Sequence, residues 1–315
     1  MGSNKQERIS LDTVKNALDA EAWESASDLA ARALAQGKWK KSEEAFLHFA
    51  RTHSLSNKNQ FSLALESGQR AVMIAEQARA WDVLARALIE LAFVQRKLNL
   101  QEQSVLTIQK YFEFLSRYGV EGQRRYLVAM FGLGASFRAA GRFEEALRQF
   151  MRTYEEAKKR RDHRWAEEAR QNATEQALAL RQVTVAEGLI GDGDAYIALH
   201  PENDSAVASH LIDKATLSLL KGDIPAAKGQ AQEAIARATN LPTLSALAYD
   251  VLHLASRAEG NNFAALAGAV LAKLNAEEDE THPYLIAQFS NSIQELALRD
   301  PGAAEEFIAR LTSQR

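Results

Sequence analysis

The sequence predicts an all-α solenoid, a stack of about eight antiparallel helix pairs, and three observations carry that prediction. A small residue recurs at one helical position, at Ala26, Ala64, Ser104, Ala146, Ala186, Ala227, Ala265 and Ala304, with gaps of 38, 40, 42, 40, 41, 38 and 39 residues. Nearly every segment between these marks has the apolar periodicity of an amphipathic helix, and no strand alternation is found. Glycine and proline fall at the segment boundaries, where a helix ends or begins. A constant period of this length, filled with helix-forming sequence, signals stacked repeats rather than one closed core.

The elements follow in order. The first pair is expected at about residues 10–19 and 22–36, with Trp23, Ala26, Ala30 and Ala33 on one face of its second helix. The second pair spans 39–55 and 60–78, and the third 80–98 and 101–117, where Leu91-Ala92, Ser104, Ile108 and Tyr111 repeat the pattern. The fourth, 121–140 and 143–160, turns at Ala140-Gly141-Arg142. The fifth covers 163–180 and 183–199, and its second helix holds Gly188, Gly191 and Gly193, which mark it as the expected hinge or irregular break. The sixth, 203–221 and 224–239, turns at Gly222 and carries Pro225 in its first turn. The seventh, 242–259 and 262–274, opens on Pro242 and turns at Gly260; Pro201 likewise stands near a predicted start. The eighth, 281–298 and 301–313, uses Pro283 and Pro301 as starts and leaves Ile308 and Leu311 uncovered at the end of the stack. Residues 1–9 are expected to be a disordered lead, and 10–315 a single repeat domain.

Composition narrows the function classes. Hydrophobic residues make up 46% and charged residues 25%, ample for an ordered, soluble chain. No apolar run approaches the roughly 18 residues of a membrane span, and the start lacks the apolar centre of a secretory signal. There is no cysteine, which excludes disulfides and thiolate metal sites and makes a reducing cytoplasm the expected home. Charge is divided unevenly. Residues 1–164 carry 27 Lys and Arg against 20 Asp and Glu, a net +7, whereas 165–315 carry 11 against 21, a net −10. An antiparallel homodimer would pair the two halves twice over and would dissociate as salt rises.

The fourth pair supplies a family signature in Leu133-Gly134, Phe137, Gly141, Phe143, Ala146, Phe150 and Tyr154. Gly134 allows close helix approach, Ala146 is the small residue opposite, and the phenylalanines fill the wedge. The sixth pair echoes it with Ala215, Gly222, Ile224, Ala227, Ala231 and Ala234. These residues resemble the tetratricopeptide repeat, over about residues 10–313. The unit of about 40 residues is longer than that family's usual one and is similar to the sensor arrays of bacterial peptide-pheromone receptors and large transcriptional activators. The resemblance implies a right-handed superhelix whose first helices line a concave face. Those regulators carry a DNA-binding helix-turn-helix domain, for which these repeats leave no room, so nucleic acid is not an expected partner of this chain.

The resemblance then implies which side chains meet a ligand. They include Phe46, Phe49 and His53, then Arg86, Phe93 and Arg96, then Phe131 and Arg138, then Gln171, Asn172 and Glu175, with Asp213 and Asp250 beyond. Arg86, Arg96 and Arg138 are expected to form a basic strip flanked by Phe93 and Phe131. Guanidinium forks suit carboxylates, and aromatic rings suit apolar side chains of an extended peptide. The amides of Gln171 and Asn172 both donate and accept, as a bound peptide backbone requires.

Other signals resolve to structure. Lys158-Lys159-Arg160-Arg161 ends a predicted helix, where positive charge complements unpaired carbonyls. Gly191-Asp192-Gly193-Asp194 lacks the ligands of a calcium loop and the lysine of a phosphate loop. The seven histidines show no zinc spacing, and no nucleophile motif occurs, so no catalytic residue, metal or cofactor is expected. The reading is a non-enzymatic scaffold that binds a protein or peptide in its groove. The alternative is the peptide-sensing module of a bacterial transcriptional or quorum-sensing regulator, which would change shape on binding a short peptide.

Overall fold

A computed structural model describes residues 9–118, 123–278 and 283–313, and among these the regular structure is entirely helical. The chain runs through α1 (Leu11–Asp19), α2 (Trp23–Gln36), α3 (Lys41–Asn57), α4 (Phe61–Gln77), α5 (Trp81–Lys97) and α6 (Gln101–Tyr118). It continues with α7 (Gln123–Ala139), α8 (Phe143–Lys159), α9 (His163–Ala179), α10 (Val183–Leu199) and α11 (Asp204–Leu220). The remainder is α12 (Ile224–Arg237), α13 (Pro242–Ala258), α14 (Asn262–Glu278), α15 (Pro283–Arg299) and α16 (Pro301–Ser313). Each predicted helix is present, most within a residue or two of its expected ends. α14 runs one turn longer than expected. The lead segment lies outside the described residues except for Ile9, which is buried against Val14, Ala30 and Leu47. The side chains of Ile308 and Leu311 also lie outside them.

The small-residue marks have a common physical cause. Ala26, Ala64, Ser104, Ala146, Ala186, Ala227 and Ala265 are all fully buried, and Ala304 packs partly buried against Ala265 and Leu266. Each donates its backbone N–H to the carbonyl four residues earlier, just outside its helix, as in Ala64 to Gln60 at 3.0 Å and Ala146 to Arg142 at 3.0 Å. In the first seven pairs the mark is the first buried position of the second helix, packed against the first helix as Ser104 is where its hydroxyl donates to the Ala92 carbonyl of α5 at 2.7 Å. A larger side chain there would force the two helices apart.

The turns inside the first seven pairs are also alike. Five residues before each mark stands one residue at positive φ: Glu21 (54°), Asn59 (58°), Asn99 (58°), Gly141 (71°), Arg181 (54°), Gly222 (80°) and Gly260 (74°). The next N–H reaches back five residues, as in Arg142 to Phe137 at 2.9 Å and Gln182 to Ala177 at 2.8 Å. This is the Schellman closure of a helix, which consumes carbonyls that would otherwise be unpaired. Side-chain oxygens of Ser10, Asp162, Asn203, Asp223, Asn261 and Asp300 accept backbone N–H groups at the starts of α1, α9, α11, α12, α14 and α16.

Arginine in the left-handed region costs about 1–2 kcal/mol relative to glycine. Arg181→Gly is therefore expected to stabilise the protein by about 0.5–1 kcal/mol, after allowing for the greater freedom of glycine in the unfolded chain. Arg181→Val should destabilise it. Thermal melts of the two variants read the sign, and a fall in melting temperature for Arg181→Gly would refute this account.

The chain divides into two compact units, Met1–Ala166 and Glu167–Arg315, with the boundary inside α9. In the first unit Leu55, Ala64 and Val94 pack with Phe61, Leu65, Phe93 and Leu98 across neighbouring pairs. In the second, Ala246, Ala272, Ala276 and Phe289 form a comparable core, as do Ala215, Ala231 and Val251. Ion pairs also join consecutive repeats: Lys110 of α6 with Glu76 of α4 at 2.9 Å in the first unit, and Lys221 at the end of α11 with Glu187 of α10 at 2.7 Å in the second.

The expected break in the fifth pair is absent: α10 is continuous from Val183 to Leu199. Gly188 and Gly191 face open space, whereas Gly193 lies where a Cβ would come within 2.7 Å of the Arg170 guanidinium and 2.8 Å of the His210 ring. That glycine serves side-chain packing rather than bending.

Candidate functional site

In the first unit the candidate residues lie on α3, α5 and α7, the first helices of their pairs. Arg96 and Arg138 each stand eight residues before the mark of their own pair, Ser104 and Ala146, so consecutive repeats present them in the same register. α5 packs on α7, which brings the two guanidinium groups into each other's field. Burial first, and then the charge of Arg138, pushes the Arg96 pKa down to about 10. The Arg96 guanidinium lies 5.3 Å from the Phe93 ring centroid, and that of Arg138 lies 5.9 Å from Phe150. Phe131 closes the aromatic side, 5.2 Å from Phe150 and 5.3 Å from Trp165.

Arg86 does not join them. It sits ten residues before Arg96, about 15 Å along the helix axis, and pairs with Asp82 one turn away at 3.1 Å. Asp82 also holds Arg125 of α7. The expected strip of three arginines is thus a pair, with the third engaged at the other end of α5.

Beside Phe93 lies an open cavity of about 340 Å³, lined by His53, Asn57, Asn59, Glu90, Phe93 and Lys97. His53 Nδ1 and Glu90 Oε2 are 2.9 Å apart, and this hydrogen bond outweighs burial and raises the histidine pKa above its usual value. Phe49 stacks on the His53 ring at 6.0 Å and Trp23 meets its other side edge-on at 5.3 Å. Phe46 turns toward the core of the first two pairs. Glu90 and Lys97 were not among the expected residues, although they flank Phe93 one turn away on either side.

The second unit contains a site of a different chemistry. Gln171 donates to Glu167 Oε1 at 2.9 Å, and Asn172 donates to the Glu168 carbonyl at 2.9 Å, so both amides hydrogen-bond within α9. Glu167 is itself held by Arg170, whose Nε and Nη2 donate to its two oxygens at 2.8 and 2.6 Å. The third contact of Arg170 is from Nη1 to the Leu189 carbonyl at 3.0 Å. With only 1% of its surface exposed, Arg170 is the largest fully buried side chain among the described residues.

Facing it from α11 are His210 and Asp213, 3% and 5% exposed. His210 Nε2 lies 2.9 Å from Asp194 Oδ1, which also accepts from Lys214 at 2.5 Å. Burial lowers the His210 pKa despite Asp194. Asp213 is driven well above the ordinary carboxylate range, by burial first and then by Glu175, with Arg170 only partly opposing. Glu175 is exposed above this cluster. Asp250, on α13, is also raised by burial.

The basic run resolves as expected for a helix end. Arg160 pairs with Glu156 at 2.8 Å and stacks over Tyr126, while Lys158 lies over Tyr154. Among the described residues no group of three or more His, Asp or Glu could hold a metal ion, and no helix is long and apolar enough to cross a membrane.

No protein-family model matches the sequence, and no curated protein is similar to it. Solved structures share the fold. RapI in its apo form superposes with a TM-score of 0.64 at 13% identity, covering 85% of this chain and 97% of that one. A Rap protein complexed with Competence and Sporulation Factor gives 0.57 at 16% identity, covering 99% of this chain and 87% of that one. A signal-transduction ATPase with a tetratricopeptide repeat sensor, from Pyrococcus horikoshii, gives 0.65 at 12% identity, over 91% of this chain and 43% of that one. The fold is therefore tetratricopeptide-like, as the repeat period and the fourth-pair signature imply.

Proposed function

We propose that this chain is the peptide-sensing array of a bacterial regulator, a non-enzymatic module that binds a short peptide and changes shape or assembly in response. The observation that carries this reading is the shared fold with a Rap protein solved in complex with Competence and Sporulation Factor, which extends over 99% of the chain. The paired guanidinium groups of Arg96 and Arg138, set against Phe93 and Phe131, support it. They offer a carboxylate two charged donors and offer an apolar side chain an aromatic surface, on the first helices of two consecutive pairs. In the second unit, Glu175 and the amides of Gln171 and Asn172 supply polar groups to a peptide backbone.

The test is small-angle scattering with light scattering, on the protein alone and with a pool of short synthetic peptides. Compaction or a change of mass on adding peptide is the expected result. Arg96→Gln with Arg138→Gln should weaken binding of any peptide so identified by about tenfold or more, the value of one lost charge-assisted hydrogen bond. An unchanged particle that still binds peptide would favour a rigid scaffold instead. Failure to bind any peptide would remove the reading altogether.

A further inference from the structure

On α7, Tyr126, Met130 and Leu133 lie on the flank opposite Phe131 and Arg138, since about 100° separates successive residues of a helix. They form the floor of a cleft of about 550 Å³ whose walls come from Phe112 and Leu115 of α6 and from α8. The corresponding wedge one repeat earlier is much smaller. It is floored by Leu84 and Leu88 at the same register positions, 20 and 16 residues before the mark, as Tyr126 and Met130 occupy in theirs. There Trp81 stacks on Tyr118 at 4.5 Å and packs on Phe114 at 5.6 Å, leaving only about 140 Å³. The described side chains fill much of this wedge there, and between α6 and α8 they leave more of it open.

The lining of the open cleft has a definite chemistry. Its walls are aromatic and aliphatic, its polar groups are Ser116 and Gln149, and Arg152 is the one charged side chain among the described residues that line it. Gln149 is buried and fixed by donating to the Met130 carbonyl at 3.2 Å. Tyr126 is held from two sides, by the Phe112 ring at 5.8 Å and the Arg160 guanidinium at 4.8 Å. The walls are therefore set before any ligand arrives. A volume within about 300–1,000 Å³, apolar walls and a few placed polar groups describe a small-molecule site. Arg152, as the one charged side chain in that lining, matches a ligand carrying a negative charge.

We propose that the cleft between α6, α7 and α8 binds a small apolar carboxylate, its hydrocarbon body against Phe112, Leu115, Tyr126, Met130 and Leu133 and its carboxylate on Arg152. This site is separate from the peptide groove and does not depend on that reading.

Titration calorimetry on the full chain with hexanoate and phenylacetate, and with the neutral hexanol and phenethyl alcohol, tests it. One saturable site is expected for at least one of the two acids, with a preference of about tenfold or more over the matching alcohol, as a charge-assisted contact requires. Arg152→Gln should abolish that preference. Ser116→Trp, at an exposed lining position, should block the cleft and abolish binding with the melting curve unchanged. Absence of saturable binding by both acids, equal affinity for acid and alcohol, or binding that survives Ser116→Trp would each overturn the proposal. Because Arg152 and Ser116 are both exposed, neither variant disturbs the core.

Discussion

Arg170→Met is expected to destabilise the unit of residues 167–315 by about 3–5 kcal/mol, because it strands the Glu167 carboxylate without its cation. Glu167 is 8% exposed and accepts two hydrogen bonds from this one guanidinium. Methionine fills most of the same volume, so the loss reports charge rather than a cavity. Adding Glu167→Gln to Arg170→Met should recover a large part of the deficit, since the uncompensated charge then disappears. Urea denaturation followed by circular dichroism reads all four corners of the cycle. A cost below about 1 kcal/mol for Arg170→Met would mean that the pair behaves as a surface ion pair, and the buried network described here would be wrong.

The second large effect lies in the first unit, where Gly134 meets Phe150. The Phe150 ring is fully buried, and Phe150→Ala should cost about 3–5 kcal/mol. A Cβ at residue 134 would stand 2.7 Å from Phe150 Cε1 and 2.8 Å from Cδ1. Gly134→Ala alone is therefore expected to cost about 1–3 kcal/mol through overpacking. In a Phe150→Leu background the offending ring carbons are gone, and the same substitution should cost far less. The difference, at least about 1 kcal/mol, is the coupling between the two positions. Additive costs would show that the ring yields freely and that glycine is not required at residue 134.

The comparison of sequence with structure turns on what a periodic code can carry. Helix positions were legible because the small marks and the apolar faces repeat, and repetition averages out local ambiguity. Three of the seven left-handed turns were legible through Gly141, Gly222 and Gly260. The other four place Glu21, Asn59, Asn99 and Arg181 in the same conformation, which residue type alone does not reveal. Within the candidate site, the closeness of Arg96 and Arg138 followed from their common register. The capture of Arg86 did not enter that register count, although Asp82 four residues earlier is an ordinary helical ion-pair spacing.

The buried cluster around Arg170 was missed for a different reason. Sixteen residues before each mark the sequence has His48, Leu88, Met130, Arg170, Leu211 and Tyr249 in the second to seventh pairs. Arg170 is the one full charge in that column, and its signal was available only by comparing repeats with one another. The glycine-containing stretch of α10 misled because a glycine's role depends on its neighbours. Gly193 is there to admit Arg170 and His210, and nothing within α10 itself announces that.

The recurrent turn has a consequence for how such a chain can change. Every pair from the first to the seventh closes with the same backbone geometry, five residues before the same small residue, whatever side chain occupies the turn. Counted from one such turn to the next, a unit of about forty residues thus begins and ends in the same fitting, and copying or deleting one leaves both joints with the same backbone geometry. Since repeat arrays draw their stability from each unit and its nearest neighbours, the number of units becomes a quantity that duplication can adjust in whole steps. Length, and with it the reach of whatever surface the array presents, is inherited separately from the residues that confer recognition.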